Sequence, residues 1–166
     1  LRRVKVTPFP LTSFILARVI SQLLIAIGQA VILTAVGMAF FHLHLSGSLI
    51  LTLLMIIVGS LAFLAIGFAI SGFAKNAETA ASYANLITFP MLFLSGVFFS
   101  IDSGPSWLQP IAKVLPLTYL VNGLRDVMTR GRGVGAIWVD LIVLLGVFAA
   151  AMVFAVRFFK WEARPA

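Results

Sequence analysis

The sequence contains no cysteine and very little charge. Of its 166 residues only 10% are Asp, Glu, Lys or Arg, and only five are acidic. The absence of cysteine excludes disulfides, thiolate metal sites and a cysteine nucleophile. With 61% hydrophobic residues and a mean hydropathy of +1.12, the chain is unlike a water-soluble globule, and its composition indicates an integral membrane protein.

Long windows without any charged residue define the predicted membrane spans. They cover residues 19–74, 79–101 and 141–156. About 20 apolar residues cross a hydrocarbon core, and the first window holds two spans joined by the short loop 42–48. We therefore predict an all-α integral membrane protein that forms a single transmembrane domain over residues 1–166, with four transmembrane helices at 14–41, 49–73, 80–100 and 134–159.

Residues 101–133 break this pattern, because they contain three prolines and two short amphipathic segments. Trp107 begins the apolar face of the first segment. Pro116 precedes the second segment, where Tyr119 lies on the apolar face while Asn122 and Arg125 lie on the polar face. Each segment is too short to cross a bilayer. We predict a re-entrant or interfacial helical hairpin.

The distribution of basic residues predicts the orientation. Four spans place both termini on one side, and that side collects seven of the twelve Lys and Arg residues, at positions 2, 3, 5, 75, 157, 160 and 164. Basic residues favour the cytoplasmic side. We expect the chain in the inner (plasma) membrane, with both ends cytoplasmic and the hairpin external. Since the basic residues lie at the ends of apolar runs, they indicate contacts with membrane lipids and not with nucleic acid.

Two polar or small-residue stripes are candidate functional features. Arg18, Gln22 and Gln29 return to one side of the first span, where they either contact a partner or substrate path, or serve as a snorkelling arginine and helix-packing amides.

On the second span, Ser60, Gly67 and Ser71 form a stripe that favours close helix packing. In the third span, Pro90 predicts a kink that is either static or a moving hinge. Asp140 is predicted to pair with Arg132 or Arg130 near the end of the last span.

Motifs for catalysis are missing from the sequence. It contains no glycine-rich loop ending in Gly-Lys-Ser/Thr that would bind nucleotide phosphates, no His-Glu-x-x-His and no Gly-x-Ser-x-Gly. His42 and His44 are the only histidines, which is too few for a metal site. We predict that the chain is not an enzyme and binds no cofactor or metal.

Three segments together resemble a known family. They are VKVTPFPLTSFILARVI (4–20), FLSGVFFS (93–100) and LPLTYLVNGLRDVMTRG (115–131). In this order they resemble the coupling segment, the end of the fifth helix and the Leu-Pro-x-x-Tyr hairpin of permease subunits of ABC type 2 exporters, which include drug-resistance and polysaccharide-export permeases. The four spans would be helices three to six of such a subunit, with two helices preceding them. One departure is Ala17, where relatives often have glycine.

The resemblance implies a division of labour. A separate ATPase subunit would bind ATP and Mg and hydrolyse the ATP, a second permease subunit would complete a dimer, and the hairpin would line or cap the exit. Residues 1–13 would form the cytoplasmic segment that contacts the ATPase, with these contacts: Arg3, Val4, Thr7, Pro8 and Phe9. The alternative that remains is a non-transporting multi-span membrane scaffold or assembly protein.

Overall fold

The computed structural model describes residues 11–41, 46–98 and 108–158. Within these ranges the chain is helical and contains no strand, which confirms the all-α prediction for the described residues. The chain divides into two units, Leu1–Leu43 and His44–Ala166, and each is described by itself. The described helices are α1 (Leu11–Phe41), α2 (Leu49–Phe73), α3 (Ala77–Leu94), α4 (Leu108–Ala112), α5 (Pro116–Met128) and α6 (Val134–Phe158).

Three of the described helices are long and apolar enough to cross a membrane. Their apolar windows are Leu16–Phe40 in α1, Leu49–Phe73 in α2 and Val134–Arg157 in α6. Because α3 is not among them, the count of four spans stays a prediction. In the first unit, α1 is a single helix of 31 residues, and its long apolar side chains, such as Leu24 and Leu33, are exposed as expected of a lipid-facing helix.

The core of the second unit lies where α2, α5 and α6 meet. α2 and α6 pack along each other, and α5 packs against both. The buried residues repeat at helical spacing, because positions three or four apart lie on one face of a helix. They are Met55, Val58 and Ala62 of α2, Val127 of α5, and Ile137 and Leu144 of α6.

α3 differs from the predicted third span of 80–100. It begins earlier, because Asn76 caps it: the side-chain oxygen of Asn76 accepts a hydrogen bond from Thr79 N at 2.8 Å. It ends earlier, at Leu94, because the chain turns at Ser95 and Gly96. Gly96 has a φ of 83°, a left-handed conformation that glycine adopts without strain and that a helix cannot continue through.

The described part of the hairpin consists of α4 and α5. α5 starts with Pro116 in its first turn, where the missing N–H of proline costs no helical hydrogen bond. As predicted for the two short segments of 101–133, neither helix is long enough to cross a bilayer.

Candidate functional site

The turn between α4 and α5 is closed by the tyrosine of the Leu-Pro-x-x-Tyr segment. Leu115 precedes α5 and Pro116 begins it. One turn later, the hydroxyl of Tyr119 donates a hydrogen bond to the carbonyl oxygen of Lys113 at 2.7 Å. Proline therefore fixes where α5 starts, and the tyrosine joins the first turn of α5 to the residue that follows α4.

α5 approaches α2 closely because small residues lie at the contact. A Cβ atom placed on Gly123 would overlap the Met55 side chain, and one placed on Gly59 would lie 2.5 Å from Leu120 Cδ1. Each helix thus presents a glycine to a large side chain of the other, which lets the backbones come near one another. We did not predict Gly59 or Gly123, although their positions inside apolar helices could have indicated a close contact.

Arg125 joins α5 to the end of α3. Its Nη2 donates a hydrogen bond to the carbonyl oxygen of Gly96 at 3.1 Å. The acceptor lies in the turn that ends α3, where Ser95 is fully buried and Gly96 has a positive φ. Two of the three segments used for the family resemblance, 93–100 and 115–131, therefore meet at this hydrogen bond.

The prediction that Asp140 pairs with Arg132 or Arg130 is wrong. Arg130 and Arg132 instead pair with Asp126, at 2.5 Å and 3.3 Å. The reason is local: the backbone N–H of Arg132 donates to the carbonyl oxygen of Asp126 at 2.9 Å, so the turn after α5 folds back on the last turn of α5. Asp140 lies further along α6, beside Gly123.

The polar face of α5 is turned inward at its start. Thr118 is only 4% exposed, and its hydroxyl has no hydrogen-bond partner among the residues that the structure describes. Asn122 and Arg125 follow at spacings of four and three, which places all three residues on one side of α5. Asn122 is half-buried. The hairpin therefore presents a polar stripe that ends at the contact with α3.

The predicted α1 stripe lies on one exposed side of that helix. Arg18, Gln22 and Gln29 are all exposed, which suits a surface that another helix or chain would cover. Their role stays a prediction.

Within the described part of the second unit, the small-residue stripe of α2 makes no close helix contact at Gly67. The hydroxyl of Ser71 donates to the carbonyl oxygen of Gly67 at 2.9 Å, and a Cβ on Gly67 would meet no atom of the described chain within 4 Å. Ser60 is half-buried. The close approach on α2 occurs at Gly59, so packing at Gly67 stays a prediction for a partner helix. Pro90 is exposed inside α3, which continues four residues beyond it.

Several predicted residues lie outside the described ranges. They are the coupling contacts Arg3, Val4, Thr7, Pro8 and Phe9, and Trp107 of the hairpin. Among the residues that the structure does describe, no group of three or more His, Cys, Asp or Glu side chains could hold a metal ion.

An apolar cleft of about 560 Å³ lies between α2, α3 and α6. It is near the end that carries Lys75 and Arg157, and the rings of Phe73 and Phe154 meet there at a centroid distance of 5.0 Å. Its lining residues are almost entirely apolar, so the cleft suits hydrocarbon and offers no chemistry.

Comparison with known proteins identifies relatives among membrane transporters. The chain is 29% identical over 138 residues to ABC transporter G family member 20 of Dictyostelium discoideum, which covers 81% of this chain and 19% of that protein. It is 22% identical over 144 residues to the protein named "Probable multidrug ABC transporter permease YbhR" of Escherichia coli, covering 87% of this chain and 39% of the relative. It is 35% identical over 81 residues to Nodulation protein J of Rhizobium leguminosarum bv. viciae, covering 49% of this chain and 31% of the relative.

The chain thus spans well under half the length of these relatives, and no solved structure matches it significantly. The sequence profile described as "ABC-2 type transporter" matches residues 1–129, which is most of the chain and includes the end of α3, the hairpin helices α4 and α5, and the arginine that joins α5 to α3. This protein therefore belongs to the ABC-2 type transporter family, whose members are membrane permeases of ABC transporters.

Proposed function

We propose that this chain forms the substrate pathway of an ATP-driven exporter and couples to a separate ATPase subunit. The match of residues 1–129 to the ABC-2 family carries the proposal. The names of two relatives, a multidrug permease and a linearmycin resistance permease of Bacillus subtilis, support an export function for this chain. In this arrangement the chain supplies no catalytic group, and ATP and Mg are bound by the ATPase.

The packing of the second unit supports a mechanical role for the hairpin. α5 is held against α2 by interlocking glycines and large side chains and against α6 by the apolar core, and it is joined to α3 by the hydrogen bond from Arg125. A displacement of the helices is therefore transmitted to the hairpin as movement of packed bodies. ATP-driven closure of the ATPase subunits would push the coupling segment 1–13, and the hairpin would open or close the exit.

The proposal includes a dimer of permease subunits in the cell's inner membrane. Four spans, with α3 as the third, would place both ends of the chain in the cytoplasm and the hairpin outside. The exposed side of α1 with Arg18, Gln22 and Gln29 would then face the second subunit or the substrate path.

The coupling assignment is tested on the full-length permease purified together with its ATPase. We expect Thr7→Glu and Pro8→Glu, separately, to lower both the recovery of the complex and its ATP turnover, because each adds a charge where the resemblance places a packed contact. Ala77→Glu is the matched control, since it adds the same charge in the first turn of α3, where helices tolerate acidic residues.

Unchanged recovery and turnover in both coupling variants would contradict the assignment. For the orientation, a cysteine placed at Asn122 is expected to react with a membrane-impermeant maleimide in intact cells. Reaction only after permeabilisation would place the hairpin in the cytoplasm. A membrane scaffold would show no response in the coupling test, because it needs no ATPase partner.

A further inference from the structure

Two arginines converge on one carboxylate in the turn between α5 and α6. The carboxylate of Asp126 accepts hydrogen bonds from Nη1 of Arg130 at 2.5 Å and from Nη1 of Arg132 at 3.3 Å. The Asp126 side chain is 11% exposed, whereas the arginine side chains are 53% and 55% exposed. Two positive charges thus share one sheltered negative charge, which leaves a net positive charge on the accessible side.

The backbone holds this turn in a fixed position. Gly131, between the two arginines, has a φ of 62°, and a Cβ on it would lie 2.8 Å from the carbonyl oxygen of Ser46. The N–H of Ser46 in turn donates to the carbonyl oxygen of Met128 at 3.1 Å. The guanidinium groups are therefore held by the turn and by Asp126, unlike freely snorkelling side chains. Holding a binding group in place beforehand lowers the entropy lost when a ligand binds.

An exposed apolar stripe begins directly after the arginine turn. Val134, Trp138 and Ile142 are spaced by four residues, so they lie on one side of α6. They are 57%, 55% and 58% exposed, and α6 is apolar enough to cross a membrane. Tryptophan favours the boundary between headgroups and hydrocarbon. The two arginines, which could bind a phosphate, therefore lie next to an apolar surface that could contact an acyl chain.

We propose that the α5–α6 turn is a binding site for one anionic phospholipid. Arg130 and Arg132 bind its phosphate, and the stripe of Val134, Trp138 and Ile142 contacts an acyl chain. Arginine suits this role because its planar fork of N–H donors matches phosphate oxygens in a way that lysine does not. Asp126 acts as a positioning residue, since it orients both guanidinium groups. The site requires the chain to lie in a membrane and does not depend on transport.

The site is tested by quenching of Trp138 fluorescence with brominated lipids. The full-length protein carries Trp107→Phe and Trp161→Phe, which removes the other two tryptophans of the chain, along with any tryptophan outside this segment. It is reconstituted in phosphatidylcholine vesicles with either brominated phosphatidylglycerol or brominated phosphatidylcholine. We expect phosphatidylglycerol to be preferred about fivefold, the effect of one basic residue near an anionic lipid.

Two variants distinguish a built site from general attraction. The Arg130→Lys and Arg132→Lys double variant keeps the charge but loses the fork, and we expect it to lose most of the preference. Asp126→Asn makes the turn more positive, yet we expect a weaker preference, because the arginines are no longer oriented. The control is Lys75→Gln with Arg157→Gln, which removes two charges from the opposite ends of α2 and α6 and should leave the preference unchanged.

Three results would overturn the proposal. Equal quenching by the two lipids would mean that the turn has no lipid preference. Full preference in the lysine variant, or a stronger one in Asp126→Asn, would mean that net charge alone attracts the lipid. Loss of the preference upon adding millimolar inorganic phosphate would assign the arginines to a soluble anion.

Discussion

α5 and α3 are held in the second unit by contrasting contacts. α5 is fixed by apolar packing, since Gly123 lies against Met55 and Val127 is fully buried. Along α3 the only buried residue is Met91, and its end is joined to α5 by the hydrogen bond from Arg125 to Gly96. Lipid is as apolar as the helices, so close packing and polar contacts decide which helices stay together.

This difference divides the second unit into a packed part, formed by α2, α5 and α6, and a part held by a polar contact, which is α3. α2, α5 and α6 interlock and should move as one body, because well-packed contacts change between discrete arrangements and do not deform gradually. α3 can shift relative to them when the polar contact at its end rearranges. In the proposed exporter, we therefore expect the conformational change to appear at the end of α3.

The largest expected effect comes from removing a side chain in the packed part. We expect Met55→Ala to lower the free energy of unfolding by about 2 kcal/mol, the low end for a buried residue, because in lipid mainly the packing is lost. Reversible unfolding in mixed micelles measures the loss. Ile50→Ala on the same helix is the control, since Ile50 is 78% exposed. Equal losses in the two variants would show that α2 is not packed as described.

The hydrogen bond from Arg125 to Gly96 is expected to contribute slightly less to the free energy of unfolding. Arg125→Gln should lower the free energy of unfolding by about 1.5 kcal/mol, the value for a hydrogen bond to a charged donor. Lys113→Gln removes an exposed charge from the same hairpin and should have little effect. If both variants behave alike, Arg125 does not hold α3.

The close approach of α5 to α2 predicts a coupled pair of mutations. Gly123→Ala should cost about 1 kcal/mol, because the new methyl group overlaps Met55. In the Met55→Ala background that overlap is gone, so the two losses should fall short of adding by at least about 0.5 kcal/mol.

Gly135→Ala is the control for this cycle, since a Cβ there would meet no atom of the described residues within 4 Å. Strict additivity of Gly123→Ala and Met55→Ala would mean that the two residues do not touch.

The smallest effect is expected at the turn that closes the hairpin. Tyr119→Phe removes the hydrogen bond to Lys113 and should cost about 0.5 to 1 kcal/mol. Tyr83→Phe on α3 is a matched control, because Tyr83 is exposed. The same unfolding assay compares them, and an equal loss at Tyr83 would remove the special role of Tyr119.

The sequence predicted the helices better than the contacts between them. Residues 49–73 were predicted as a span and form α2 over that range, because polar and turn-forming residues bound an uninterrupted apolar run. The end of α3 was missed, since hydropathy does not detect the left-handed conformation of Gly96. A charge-free window therefore continues past the point where the helix stops.

The candidate site was predicted in its parts and not in its connections. Pro116, Tyr119 and Arg125 were predicted from their pattern, yet the partner of Arg125 is a backbone carbonyl, which no sequence motif reveals. Asp140 was predicted to pair with Arg132 or Arg130, although Asp126 is nearer to both arginines along the chain. Arg130 lies four residues after Asp126, a helical spacing that could have indicated this pair, whereas Arg132 reaches Asp126 through the turn at Gly131.

In the proposed exporter, we expect α3 to move against a rigid body formed by α2, α5 and α6. Hydrogen–deuterium exchange on the full-length protein, purified with its proposed ATPase partner, tests this movement directly, with and without ATP plus vanadate, which traps bound ADP after hydrolysis. We expect altered exchange at residues 91–98 and unchanged exchange at 55–62 and 120–127. Altered exchange at 55–62 and 120–127, with exchange at 91–98 unchanged, would contradict this movement.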